Sequence, residues 1–195
     1  GAVGVFSDWT SGSELRRRAG VGLINNRIEM TAELGGDAVV LHLPEGRLRA
    51  GNLLNPVRRS LDELEPAARQ AGIKLALENL PTPGHMELLV KLFGEYPADF
   101  LGLCYDSGHG NMAGNGIELL ETLLAGEPGG GPAESRTEFR HRGNTASRLA
   151  AMHLHENDGR RDLHLAPFRG SVDWERLMRI IARAYTAGYS KPICL

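Results

Sequence analysis

The stretch Leu101 to Met112, LGLCYDSGHGNM, runs apolar and then delivers Asp106, Gly108 and His109 in quick succession. A carboxylate and an imidazole placed so closely, at the carboxyl end of a buried strand, can share a divalent cation or a sugar hydroxyl. Alone the pattern is weak, and its weight comes from repetition. AVVLHLP closes on His42, IKLALENLP on Glu78, and AAMHLHEND on His153 and His155. Asp162 and His164 then stand in a DxH spacing that can chelate.

These residues need elements to carry them. The chain predicts strands at Gly1–Phe6, Ala38–Leu43, Ile73–Glu78, Leu101–Asp106 and Leu149–His153, with a last one starting at Ile193. Helices are predicted between them. The first covers Leu15–Leu34, with Leu23, Ile24, Ile28, Met30 and Leu34 at helical spacing and Gly35-Gly36 as its stop. Others run from Pro56 to about Ala71, from about His85 to Phe93, near Ile117–Leu124, and from Val172 to about Ala187. Trp174 reads as packing, and His85 and His141 as surface residues. The segment from about residue 127 to 147 is rich in Gly, Pro and charge and reads as a long exposed loop. Its Arg136, Arg140, His141 and Arg142 read as a solvated face, with a phosphate contact as the alternative.

Strand and helix alternate without a hairpin signal, which implies parallel strands with helices outside, in either an open sheet or a barrel. Side-chain parity favours the barrel. Counting back by two from the polar strand ends gives Val40, Ala76, Cys104, Gly102 and Ala151. The opposite parity gives Leu75, Leu77, Leu103, Tyr105, Met152 and Leu154. Small residues on the polar side suit a crowded barrel interior, while the bulky side packs on helices.

Composition narrows the partners. With 195 residues and 42% hydrophobic content, the chain can bury the core of one domain over 1–195, and no apolar run approaches the length needed to cross a bilayer. A net charge of -2 lacks the basic footprint of proteins that grip nucleic acid by bulk charge. Cys104 and Cys194 sit inside apolar runs and read as reduced core thiols, which favours a cytoplasmic setting.

Taken together, ENLP at Glu78, YDSGHGN at Asp106 and His109, HLHENDG at His153 and RDLHLAPFRGSVDW at Arg161–Trp174 resemble the xylose-isomerase-like barrel superfamily. Its members include sugar and sugar-phosphate isomerases and epimerases, inosose dehydratases and endonuclease IV. The resemblance runs from about Leu15 to the last residue and implies a (β/α)8 TIM barrel. Six strands are visible where a full barrel has eight, so N-terminal units and the end of the last strand are expected to be missing.

The resemblance implies that Glu78, Asp106 and His153 are metal ligands. A fourth, a glutamate, would fall one step beyond Leu195. It also implies a divalent ion, Mn, Mg, Co or Zn, acting as a Lewis acid while carboxylates carry a proton next to a carbonyl. Glu78 would be ligand and base, and His109 would hold a substrate hydroxyl. His42, His155, Asp162 and His164 would line the substrate pocket. The partner is then a small sugar or sugar phosphate, and two barrels can pair as a homodimer. Endonuclease IV offers a second reading, since Glu78, Asp106, His109, His153, Asp162 and His164 resemble its zinc-binding pattern, with His42 a candidate for a further position; GAVGVFSDW lacks the histidine that family places there. A lyase of the inosose-dehydratase kind on the same residues and a barrel without catalysis are the remaining readings.

Overall fold

The computed structural model of the chain describes residues 6–44, 50–82, 85–125, 148–191 and 193–194. Four parallel strands, β1 (Ala38–Leu41), β2 (Lys74–Glu78), β3 (Leu101–Asp106) and β4 (Leu149–His153), pair in chain order. The sheet is curled, because β4 also approaches β1 and β2, from which it is separated in the hydrogen-bonded order. Helices α1 (Glu14–Glu33), α2 (Ala50–Ala71), α3 (His85–Glu95), α4 (Ser107–Ala113), α5 (Gly116–Ala125) and α6 (Trp174–Thr186) connect or flank the strands. This is a partial (β/α)8 barrel. The last strand is present as a parallel bridge from His153 to Cys194, with the Cys194 N–H bound to Met152 O at 3.1 Å and Cys194 O to the Leu154 N–H at 2.8 Å.

The predicted parity holds. Leu75, Leu77, Leu103, Tyr105, Met152 and Leu154 face the helices and join a core with Val57, Leu61 and Leu64 of α2, Leu92 and Phe93 of α3, and Ile180 and Ile181 of α6. Ala76, Cys104 and Ala150 form a separate small cluster inside the curl, with Val40 and Ala151 against it. Only small residues fit there, as a Cβ on Gly102 would meet Arg148 O at 2.7 Å.

Several local expectations change. Residues 1–5 and the segment 126–147, with its basic cluster, lie outside the described residues, and Phe6–Thr10 is a 3-10 helix. Helix α2 starts at Ala50 and runs through Pro56 and Pro66. A proline inside a helix costs about 3 kcal/mol; the completely buried stripe of Val57, Leu61, Leu64 and Ala68 outweighs it. In α1 the buried face is Arg17, Gly20, Val21, Ile24 and Ile28, while Leu23, Met30 and Leu34 are exposed. Close approach decides that face: a Cβ at Gly20 would lie 2.3 Å from the Trp9 backbone nitrogen. The Arg17 guanidinium is held beside it by Ser60 Oγ at 2.9 Å and by Glu14 and Glu63. His85 is buried, with Nε2 3.2 Å from Pro44 O, and Cys194 is exposed.

Candidate metal centre

All the polar strand-end residues lie at the carboxyl end of the sheet. Val40 and Leu41 pair with Ala76 and Leu77, which brings the next residue, His42, level with Glu78. Trp9 fixes the His42 backbone by donating its indole N–H to the carbonyl at 3.2 Å. Between β3 and β4 the register slips: Leu103 faces Leu149 but Cys104 faces Ala151. The extra residue, Ala150, is a bulge. It places His153, in place of Met152, opposite Asp106.

Glu78 is the hub. Its carboxylate is 2% exposed, yet Oε2 lies 2.9 Å from His42 Nε2 and 3.3 Å from His153 Nδ1, and Oε1 lies 3.1 Å from His109 Nδ1. Burial acts to raise the Glu78 pKa, but the hydrogen bonds from His109, His153 and His42 prevail and hold the carboxyl far below the usual range. The reciprocal shifts follow. Burial opposes a charge on His109, but Glu78, Asp106 and Asp162 override it and push the imidazole up to about 9. The Glu78 hydrogen bond raises His153 as well.

Asp106 is also buried, and His153 Nδ1 lies 3.8 Å from its Oδ2. The three residues expected as metal ligands are thus brought together. After Asp106 the chain enters α4 at once. Gly108 and Gly110 weaken the helix signal in sequence, but Asp106 supplies the N-cap, its Oδ1 accepting the His109 N–H at 2.8 Å. Sequence reasoning missed Asn79, whose amide donates to Asp106 O at 2.9 Å and accepts the Asp106 N–H at 2.8 Å. Its place in ENLP, beside Glu78, was the available signal. His109 Nδ1 also lies 3.1 Å from Asn79 O.

The remaining candidates form the outer side of the same cluster. His155 is buried, with Nε2 2.9 Å from Asp106 Oδ1, and its ring stacks on His164 at 3.9 Å. Asp162 Oδ2 lies 3.6 Å from His109 Nε2 and 3.2 Å from His164 Nε2, and both residues of the DxH pair are exposed. Their loop is anchored by Glu156, completely buried, which accepts the N–H groups of Asn157 and Val172 and the indole N–H of Trp174. Trp174 therefore packs behind the loop, as expected, and holds it as well.

Donor atoms fall into three groups with mutual distances within 4.8 Å: Glu78, Cys104 and His153; Asp106, His109 and His155; His155, Asp162 and His164, the last two sharing His155. Cys104 was not foreseen among them. Burial pushes its thiol up, with the Glu78 and Asp106 charges adding to the effect, so it is a neutral floor to the site. The donor set fits a divalent ion. Two carboxylates almost out of water need compensating positive charge, and oxygen donors mixed with imidazoles suit the borderline and hard divalent metals.

A curled parallel sheet with a carboxylate and imidazole cluster at its carboxyl end defines a barrel of metal-binding type. The chain belongs to the xylose isomerase-like TIM barrel family, which matches residues 2–195. It is 34% identical over 184 residues to the uncharacterized protein y4fM of Sinorhizobium fredii, covering 90% of this chain and 52% of that protein. Among solved structures, a D-tagatose 3-epimerase-like protein aligns with a TM-score of 0.70 and 25% identity over 91% of this chain and 63% of that one. The IOLI protein with a bound zinc atom aligns with a TM-score of 0.69 and 17% identity over 95% and 63%, a likeness of fold. The chain spans about half the length of y4fM and less than two thirds of either solved chain. Among the described residues, no helix is long and apolar enough to cross a membrane.

Proposed function

We propose that this chain carries the site of a divalent-metal-dependent isomerase or epimerase of sugars or sugar phosphates, working by proton transfer next to a carbonyl. One observation carries the reading. Glu78, an almost inaccessible carboxylate, shares its two oxygens among His42, His109 and His153, with Asp106 beside them, at the mouth of a parallel barrel sheet. The D-tagatose 3-epimerase-like relative and the zinc of the IOLI protein are in keeping with it.

In this reading Glu78, Asp106 and His153 hold Mn, Mg, Co or Zn. The ion, when bound, supplies a Lewis acid for two neighbouring sugar oxygens. Glu78 would also move the proton, through a carboxylate oxygen that the ion leaves free. His109 presents Nε2 toward Asp162 and the mouth, where it holds a substrate hydroxyl. His42, His155, Asp162 and His164 complete the wall on the substrate side. The test is metal analysis of the protein followed by a screen of ketoses and ketose phosphates in deuterated water. Solvent deuterium entering the carbon next to the carbonyl supports the proposal; metal-bound protein that exchanges none across the panel defeats it.

The second reading is a nuclease of the endonuclease IV type, favoured by one observation: His155, Asp162 and His164 make a further donor group beside the first. Metal stoichiometry separates the two, one ion for the isomerase and three for the nuclease.

A further inference from the structure

We propose that Asn157 is a positioning residue: it fastens the loop that carries Asp162 and His164 to helix α4, which carries His109, and so presets the substrate side of the pocket as a fixed wall. This rests on the reading of His109, Asp162 and His164 as groups on the substrate side. It adds to that reading what holds them at their spacing.

The need for such a residue follows from burial. No side chain from 158 to 171 is buried, so the loop has no core of its own to keep Asp162 and His164 in place. His109 belongs to the helix and Asp162 to the loop, yet Nε2 of the one lies 3.6 Å from Oδ2 of the other. Whatever joins loop to helix sets that spacing. Asn157, completely buried at the foot of the loop, does so with both ends of its amide. Its Nδ2 donates to Gly108 O at 2.8 Å, one residue before His109, and its Oδ1 accepts from Asn111 Nδ2 at 2.8 Å, two residues after. The same Oδ1 takes the Gly159 N–H at 2.9 Å where the loop leaves, and Asn157 O takes the Ser171 N–H at 3.0 Å where it returns. Gly170 lets the two ends meet, since a Cβ there would stand 2.1 Å from Asn157 O. Asn111 Nδ2 also reaches Ser171 Oγ at 2.9 Å, so one amide of α4 touches both ends of the loop. Glu156 fastens this loop toward α6, and Asn157 fastens it toward α4. A substrate meeting a wall already in place binds without first ordering it. Loosening the wall therefore acts on binding, and leaves the proton transfer that the same reading gives to Glu78.

The experiment has two arms, both on the 195-residue chain. In the first, amide hydrogen exchange is followed by mass spectrometry. Asn157→Ala is expected to speed exchange about tenfold or more across 156–172, because several buried bonds go together, while α1 to α3 keep their wild-type rates. Asn111→Ala removes the half-buried partner of the same clamp; it is expected to act in the same direction and decides this arm if Asn157→Ala does not fold. The second arm is steady-state kinetics of Mn2+-loaded protein with whichever ketose takes up solvent deuterium. Asn157→Ala is expected to raise KM about tenfold and to leave kcat within about threefold, the pattern of lost binding. A residue needed only for folding would lower kcat through the active fraction and leave KM where it was. Loop exchange as slow as wild type in both variants, or a fallen kcat with an unchanged KM, overturns the positioning role. A wild-type chain that turns over no ketose of the panel defeats the substrate reading instead, and loop exchange alone then upholds or overturns the clamp.

Discussion

Arg148 and Glu78 are both charged, both buried, and sit at opposite ends of the same sheet. At the amino-terminal end Arg148 spends its guanidinium on backbone carbonyls: Leu101 O at 2.8 Å, Phe93 O at 2.6 Å and Tyr96 O at 2.8 Å, with the Phe93 ring beneath it. At the carboxyl end the ion-pair partners of Glu78 among the described residues are imidazoles, which titrate and can turn away. A buried charge held by fixed dipoles ties α3 to β3 and β4 and has nothing left to give. A buried charge held by exchangeable partners keeps a place for another cation. The difference is what separates a structural ion from a binding site.

The comparison breaks most plainly at Arg148. Arg148→Met should cost about 3 kcal/mol in urea unfolding, because three carbonyls lose their donors together; a loss under about 1 kcal/mol would show that the guanidinium is incidental. Glu78→Gln should do the reverse. It should weaken Zn2+ or Mn2+ binding more than hundredfold by calorimetry, beyond the range for outer partners. Its cost to the metal-free protein should shrink as pH rises from 6.5 to 9, because the imidazoles it leaves behind can discharge. A cost as large at pH 9 as at pH 6.5 would place Glu78 with Arg148. Asn79→Ala lies between the two: about 1–2 kcal/mol from the unpaired Asp106 backbone, with a smaller loss of metal affinity than Glu78→Gln, measured on the same samples.

The last effect is one of slope. Glu78 is depressed, so its stabilisation is present above about 4.5, its ordinary value, and is lost as pH falls below that. His109 is raised, so its stabilisation is complete below 6.5 and is lost as pH rises toward about 9. Metal-free protein should therefore melt highest between these limits and lose stability from 6.5 to 9. Over that same interval the stabilisation by added Zn2+ should grow, because the ion displaces protons from the imidazoles. A melting temperature in chelator that is flat from pH 6.5 to 9 would mean that the pairing with Glu78 is weak.

How far the site was legible can be judged residue by residue. Glu78, Asp106 and His153 could be picked out because each ends a strand whose alternate residues are small on one side and bulky on the other, and the sheet shows that parity. His42 was visible for the same reason, and His109 because it stands three residues after Asp106. The position of His155 was not, since two residues of extended chain say which side a ring leaves from but not that Gly108 has cleared a space for it. Helix α4 hid behind its glycines, and the buried face of α1 behind exposed Leu23, Met30 and Leu34, because the packing surface was chosen by a glycine and a paired arginine. His85 carried no signal of burial, as a lone histidine at a helix start is indifferent to it until Pro44 arrives beside it.

By itself the sequence determined the order of strands and helices, the two faces of the sheet, and which side chains stand at its carboxyl end. These follow from local period and residue size, which act along the chain. Tertiary structure alone decided which of those side chains meet. The bulge at Ala150 sets His153 against Asp106, Asn79 pins the Asp106 backbone, and Ser107 and Gly108 seat His155 beside it. Register and ring orientation depend on atoms distant in sequence, and no pattern along one strand contains them.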